Sequence, residues 1–329
     1  MPKKISLECK YNYFLSLISI LVILIAIAPL LRDACIDGHD VEYHLLRIES
    51  LKNGILIGKP FLKINTIFFN NAGYASSLFY PDILLYFPAI LRAIGFSISV
   101  SYNLFLIFCV ILCYINVYYC TKLIVKNSYS AIAASAIYTL CQYHIDDIYL
   151  RAAIGEISAF VFIPLLLFGI YDVLYNNFQK PWTMIAGFVG VMLCHTSTLL
   201  ICTLFYFIFF SFHLKTFIKN PILIYKLIFA AIIVLSLTAF YLIPVIEQMT
   251  YDSFRFNRPW VIPSEHMVNI GTLFSNQFTG IGFIIWVLCF SRFFVPKEVK
   301  NIILINFADK CLLMGILFAF LTTNLFPWS

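Results

Sequence analysis

The sequence predicts an all-α protein, a polytopic bundle of about nine membrane-spanning helices. Three observations predict it. Of 329 residues, 62% are hydrophobic and 12% charged, with a mean hydropathy of +0.92, whereas a soluble domain carries about 25% charged residues. The apolar residues gather into runs near the roughly 20 residues that a bilayer crossing needs. The charged residues gather between the runs. A water-soluble globule, a disordered chain and a nucleic-acid-binding module are therefore excluded. The net charge of +6 reports topology, not affinity for an anionic partner. Most of the ten cysteines lie inside apolar runs, where free Cys acts as a small hydrophobe, and no CxxC pair is present.

The first apolar run, 11–31, follows Lys3, Lys4 and Lys10. It is long, and Leu31-Arg32-Asp33-Ala34-Cys35 makes no cleavage site, so it reads as a retained signal-anchor with a cytoplasmic N-terminus. Further single runs are 101–121, 129–143, 157–175, 223–246, 269–291 and 308–326. The stretch 182–213 is interrupted at His195-Thr196-Ser197, and its 32 residues suit two short helices with a turn there.

Segment 79–96 fixes the sidedness of everything after it. If it spans, the basic clusters at Lys122/Lys126, Lys215/Lys219 and Arg292/Lys297/Lys300 all fall outside, against the positive-inside rule. If it does not, the inside holds 13 Lys/Arg and 4 acids, and the outside 9 Lys/Arg and 12 acids. Pro81, Asp82, Pro88 and Arg92 are also poor occupants of a lipid-facing helix. The segment is thus expected to lie at the interface as a juxtamembrane or re-entrant helix. The chain reads as a single transmembrane domain over 1–329. It has a long outer loop at 32–100, a short one at 144–156, a tight turn at His195 and a fourth outer loop at 247–268. Five of six histidines (His39, His44, His144, His195, His266) and most acids fall on the outer side, which favours a working surface there.

Two outer constellations carry candidate chemistry. From Asp40 onward the first loop reads as a helix with Leu45, Leu46, Ile48 and Leu51 as its apolar stripe. Asp40, His44 and Arg47 are spaced to share one face. A carboxylate, an imidazole and a guanidinium could together deprotonate a hydroxyl and hold a phosphate, although a solvated helix with an Asp40–His44 pair fits the spacing better. In the second loop, Asp147 and Arg151 have i, i+4 spacing and are expected to pair. Asp146 and Asp147 could instead take a divalent cation, because hard cations prefer carboxylate oxygens. Glu156 opens the next apolar run, where an ionisable group is a functional hypothesis by default. His195, at the tip of the short hairpin, is by itself better read as a hydrogen-bonded structural residue.

The order of these motifs carries a resemblance. It runs from a D-x-x-Y-H-x-x-R helix (Asp40 to Arg47) to F-Y-P-x-x-L-x-Y with Pro81. Y-x-x-D-D-x-Y-x-R-x-x-x-x-E (Tyr143 to Glu156) and H-T-S-T-L from His195 follow. This resembles bacterial polytopic membrane proteins labelled "6-pyruvoyl-tetrahydropterin synthase-related", which are in turn similar to GT-C class membrane glycosyltransferases. The resemblance implies a GT-C-like fold in the inner membrane and a polyprenyl-phosphate-linked sugar donor as lipid partner. It implies Asp40 as the base, with Asp37 and Glu42 as competitors and His44 beside them. Asp146 or Asp147 would assist or hold a metal. Arg151 or Arg47 would steady the donor phosphate, with Glu156 and His195 lining the substrate site. The chain departs from the pattern in three places. Asp40-Val41-Glu42 replaces an adjacent Asp-Glu pair, Tyr80 stands where some relatives carry a base, and the chain ends three residues past its last apolar run, which reads as C-terminal incompleteness. Two alternatives stay open: a transporter or flippase working through Glu156 and Arg151, and a non-catalytic membrane protein.

Overall fold

In the computed structural model, residues 7–251, 265, 267–275, 280–294 and 302–327 are described, with side chains from Tyr13 onward. These residues form helices and turns, with isolated bridges at Asn65–Tyr74 and Val268–Thr323 and no strand among them.

Five helical segments are long and apolar enough to cross a bilayer: Tyr13–Leu30, Ile98–Val125, Ile154–Tyr175, Ile222–Tyr251 and Ile302–Leu321. The chain is thus a membrane-associated helical protein. The first segment is α1 (Leu7–Ile27), extended by a 3-10 turn at Ala28–Leu30. It leads through residues 31–40 to α2 (Val41–Leu56), so the helix that the sequence predicts from Asp40 onward is present. On its stripe, Ile48 and Leu51 are fully buried.

Segment 79–96 breaks into the end of α3 (Ser76–Phe79), a 3-10 turn at Ile83–Leu85 and α4 (Tyr86–Ala93). The Ile83–Ala93 stretch is one of the shorter apolar helices and falls below spanning length. It packs along α2, where Glu49 pairs with Arg92 and, at 2.6 Å, with Lys52.

α5 (Ile98–Val125) is the central post, capped by Ser97, whose Oγ accepts from the Val100 amide at 3.2 Å. Its Asn103 donates to the carbonyls of Arg32 and Ala34 at 2.9 and 3.0 Å, which fastens the exit of α1 to its start. α6 (Ser128–Thr139) returns along α5 and presents the small buried residues Ala131 and Ser135. In lipid, close approach of small residues is what packing gains from, since the tails are as apolar as the side chains.

Four of the roughly nine predicted crossings do not reach spanning length among the described residues. Run 129–143 stops at Leu140, because Cys141 takes an extended conformation before α7 (Gln142–Asp146) begins. Stretch 182–213 does split in two as expected, into α10 (Pro181–Met192) and α11 (Thr196–Ser211), with His195 as the N-cap residue. These are helices of 12 and 16 residues, about 18 and 24 Å long against a hydrocarbon core of about 30 Å. Among its described residues, run 269–291 contributes α14 (Ile270–Leu273) and α15 (Phe283–Ser291). His266, Lys297 and Lys300 lie outside the described residues.

Between α7 and the spans that follow, Ile154–Tyr175 is built of α8 (Ile154–Phe160) and α9 (Ile163–Tyr175), broken ahead of Pro164. After α11 come the short α12 (Leu214–Lys219), the long α13 (Ile222–Tyr251) and, following α14 and α15, α16 (Ile302–Leu321). One core gathers the end of α1 with α2, α4, α5 and residues 148–161. A second gathers α9, α10, α11, α13 and α16.

Candidate functional site

The polar residues of interest sit where the first core ends, around residues 38–47, 80–82, 143–156 and 195. The local backbone explains the gathering. After α7 the chain widens into one π-helical turn, Asp147–Arg151, and leaves it through Ala152 in the left-handed region (φ 54). Such turns recur at functional sites because they free a backbone group and re-aim the side chains. The first loop lies along this exit. The amide of His39 donates to Leu150 O at 3.1 Å, and that of Asp40 to Arg151 O at 3.0 Å. Gly38 makes the approach possible, since a Cβ there would come within 2.7 Å of the Ala152 Cβ.

The π turn brings Arg151 Nη1 to Asp147 Oδ1 at 2.6 Å, the pair that the i, i+4 spacing suggests. The same guanidinium reaches forward to Glu156, with Nη2 on Oε1 at 2.7 Å and Nη1 on Oε2 at 2.9 Å. Tyr143 closes the group: its hydroxyl donates to Glu156 Oε2 and accepts from Arg151 Nη1 at 3.1 Å. Asp147 is fully buried, and its Oδ2 has no hydrogen-bond partner among the described residues. Burial, and then the neighbouring Glu156 carboxylate, push its pKa up to about 7 against the pull of Arg151. Arg151 is held charged by its bonds to Glu156.

Behind this group lies a second one centred on Arg47, 1% exposed. Its Nε donates to Asp82 Oδ1 at 3.0 Å, and Nη2 also meets that oxygen. Nη2 donates further to the carbonyls of Pro81 and Tyr80 at 2.8 and 3.3 Å, and Nη1 lies 3.2 Å from His44 Nδ1. The guanidinium carbon stands 4.2 Å from the Tyr80 ring centre. His44 therefore turns to Arg47 and not to Asp40. Burial and that adjacent cation hold its pKa well below the usual imidazole range, so it stays neutral.

Tyr80 is the wall shared by the two groups. One side covers Arg47. On the other side its ring centre is 6.2 Å from that of His195, whose Nδ1 bonds Thr198 Oγ1 at 2.8 Å. The His195 pKa is lowered by burial despite the pull of Glu156. Tyr80 fits because residue 155 is glycine: a Cβ would fall 2.0 Å from its hydroxyl oxygen.

The predicted residues therefore divide. Arg151, Asp147, Glu156 and His195 converge, and the backbone of Asp40 is docked against them. Asp37, Asp40 and Glu42 are solvent-exposed. Arg47 and His44 are buried in a saturated network that pins α2 to the Pro81–Asp82 strap. Asp146 turns away, to Gln142 Nε2 at 2.8 and 3.0 Å. Asp146 and Asp147 therefore face different partners, and no group of three or more His, Cys, Asp or Glu among the described residues is placed to hold a metal ion. The two carboxylates are not presented as a shared pair of metal ligands. Sequence reasoning missed Tyr80, Tyr143, Gly155 and the Asp82 partner of Arg47. Asp82 had left a signal, because a carboxylate in an apolar segment requires a buried partner. Tyr80 left none beyond its place before Pro81.

No described protein family matches the chain, and no solved structure does. The sequence is similar to an uncharacterized protein of Lactococcus lactis subsp. cremoris strain MG1363, 25% identical over 249 residues, covering 73% of this chain and 40% of that protein. The chain thus spans less than half the length of that relative.

Proposed function

We propose that the chain is a GT-C-like glycosyltransferase of the inner membrane that uses a polyprenyl-phosphate-linked sugar at the extracytoplasmic face. The observation that carries this reading is the docking of Gly38–Asp40 on Leu150–Arg151. It sets an exposed carboxylate beside an ordered cluster of charged and hydroxyl groups at the end of apolar helices. The motif order adds its resemblance, and the charge count supports a cytoplasmic N-terminus. In this mechanism the acceptor hydroxyl gives its proton to Asp40 as its oxygen bonds to the anomeric carbon. The lipid phosphate leaves with the bonding pair. Its growing negative charge requires a nearby cation. Arg151, His195 and Glu156 form the polar floor on which the acceptor is oriented, and Tyr143 locks that floor.

The test is a comparison of lipid-linked glycans with and without the gene, repeated with Asp40→Asn. Loss of transfer at unchanged expression is expected, and full activity of the variant refutes the assignment. Labelling of a thiol introduced near Tyr149 checks the sidedness, since exposure to the cytosol leaves this chemistry no place. A transporter reading draws on the Glu156–Arg151 pair at the head of a spanning segment. Substrate flux into proteoliposomes lacking any donor sugar would favour it.

A further inference from the structure

The leaving phosphate needs a cation, and the two arginines of the site are already committed. Arg47 is buried against Asp82 and two carbonyls, and Arg151 is shared by two carboxylates. A different cation lines a cleft beside the Pro81–Asp82 strap. Phe61 and Lys63, the strap with Tyr86, and Phe240 and Tyr241 of α13 enclose it. We propose that this cleft binds the phosphate-bearing headgroup of a membrane lipid, with Lys63 as its cation. The inference deepens the glycosyltransferase reading and takes from it only that a lipid phosphate is used.

Depth supports the assignment. From Ile222, where α13 begins, Tyr241 stands 19 residues along the helix, about 28 Å at 1.5 Å per residue. The hydrocarbon core is about 30 Å thick, so with Ile222 at one face the cleft would fall near the other, where lipid headgroups begin. Its rim is apolar and open: Phe61 is 83% exposed and Phe240 57%. These side chains suit a lipid tail lying outside the cleft.

The polar inventory points to an anion. The Asp82 carboxylate is held by Arg47. The Tyr86 hydroxyl donates to Pro60 O at 2.5 Å and that of Tyr241 to Phe79 O at 2.8 Å, so neither hydroxyl proton is free. Ser77 Oγ accepts from Asn65 Nδ2 at 2.7 Å and keeps its own proton to donate. The ammonium of Lys63 makes no hydrogen bond or ion pair among the described residues. Lys63 is exposed and lines the cleft, so a phosphate there would take a charge-assisted bond from its ammonium and a second bond from the Ser77 hydroxyl. The loop is built to hold the lysine in place. Fully buried Asn65 ties it to Tyr74 through paired backbone bonds of 2.8 and 3.0 Å.

The experiment measures lipid retention, with no sugar transfer involved. The full chain is reconstituted in phosphatidylcholine nanodiscs containing a minor fraction of a polyprenyl monophosphate, re-extracted, and its bound lipid counted by native mass spectrometry. Retention of the polyprenyl phosphate is expected in the wild type and in Lys63→Arg. Lys63→Gln should lower it roughly tenfold at an unchanged unfolding midpoint, and Lys59→Gln, a nearby exposed lysine outside the cleft, should keep it. Wild-type retention by Lys63→Gln overturns the proposal. An equal loss in Lys59→Gln also overturns it, by showing diffuse surface charge. Displacement of the lipid by inorganic phosphate overturns the lipid assignment in favour of a free-anion site. Retention as expected, together with unchanged cellular glycans on gene deletion, sinks the transferase reading alone.

Discussion

Removing Asp82 isolates the buried charge of Arg47. In Asp82→Ala the Arg47 guanidinium stays 1% exposed but loses its one anionic partner among the described residues. Breaking a buried pair from one side costs about 3–5 kcal/mol, because the remaining charge is left uncompensated. The two carbonyl bonds from Pro81 and Tyr80 and the stacking on Tyr80 keep the arginine from escaping to water, so the upper half of that range is expected. Replacing both members, Arg47→Met with Asp82→Leu, should cost far less, since the desolvation of two charges disappears along with their attraction. The assay is reversible denaturant unfolding in mixed micelles, with all three variants measured together. The reasoning is refuted if Asp82→Ala loses less than about 1 kcal/mol, the value of an exposed pair, or if the double variant is as unstable as the single one.

Two further outcomes follow from the same geometry. Gly155→Ala places a Cβ 2.0 Å from the Tyr80 hydroxyl oxygen and should destabilise by about 1–3 kcal/mol through overpacking. Adding Tyr80→Phe should restore part of that, and no recovery in thermal unfolding would show the clash to be elsewhere. Asp147, with its pKa raised to about 7, should bind a proton in the folded state as pH falls from 8 to 6. Its ordinary carboxyl value is lower, so its contribution to stability is full below that value and is lost as pH rises through 7. Infrared difference spectra should show a protonated carboxyl band titrating near pH 7 and missing from Asp147→Asn. A band that does not titrate in this range contradicts the buried placement.

Composition alone was enough for the helical, membrane-associated class, because apolar runs of bilayer length have few other uses. Local spacing also foretold α2 from Asp40, the break at His195 and the Asp147–Arg151 pair. Each depends on residues within a turn or two of one another. The span count was less legible. Run 129–143 is mostly apolar, yet its helix stops early before Cys141, where an extended backbone conformation and not hydropathy ends it.

The contacts that matter most at the site join residues far apart in the chain, and no periodicity encodes them. Nothing near Arg47 announces that its partner is Asp82, 35 residues away. Nothing near Gly155 announces Tyr80. Asp40 and His44 share a helix face by spacing, but burial turned the histidine toward Arg47. By itself the sequence determined which segments prefer lipid to water, since transfer free energy is additive along a chain. Only the tertiary structure decided which charges are spent on each other and which, like Lys63, meet no counter-charge among the described residues, since pairing depends on distance in space.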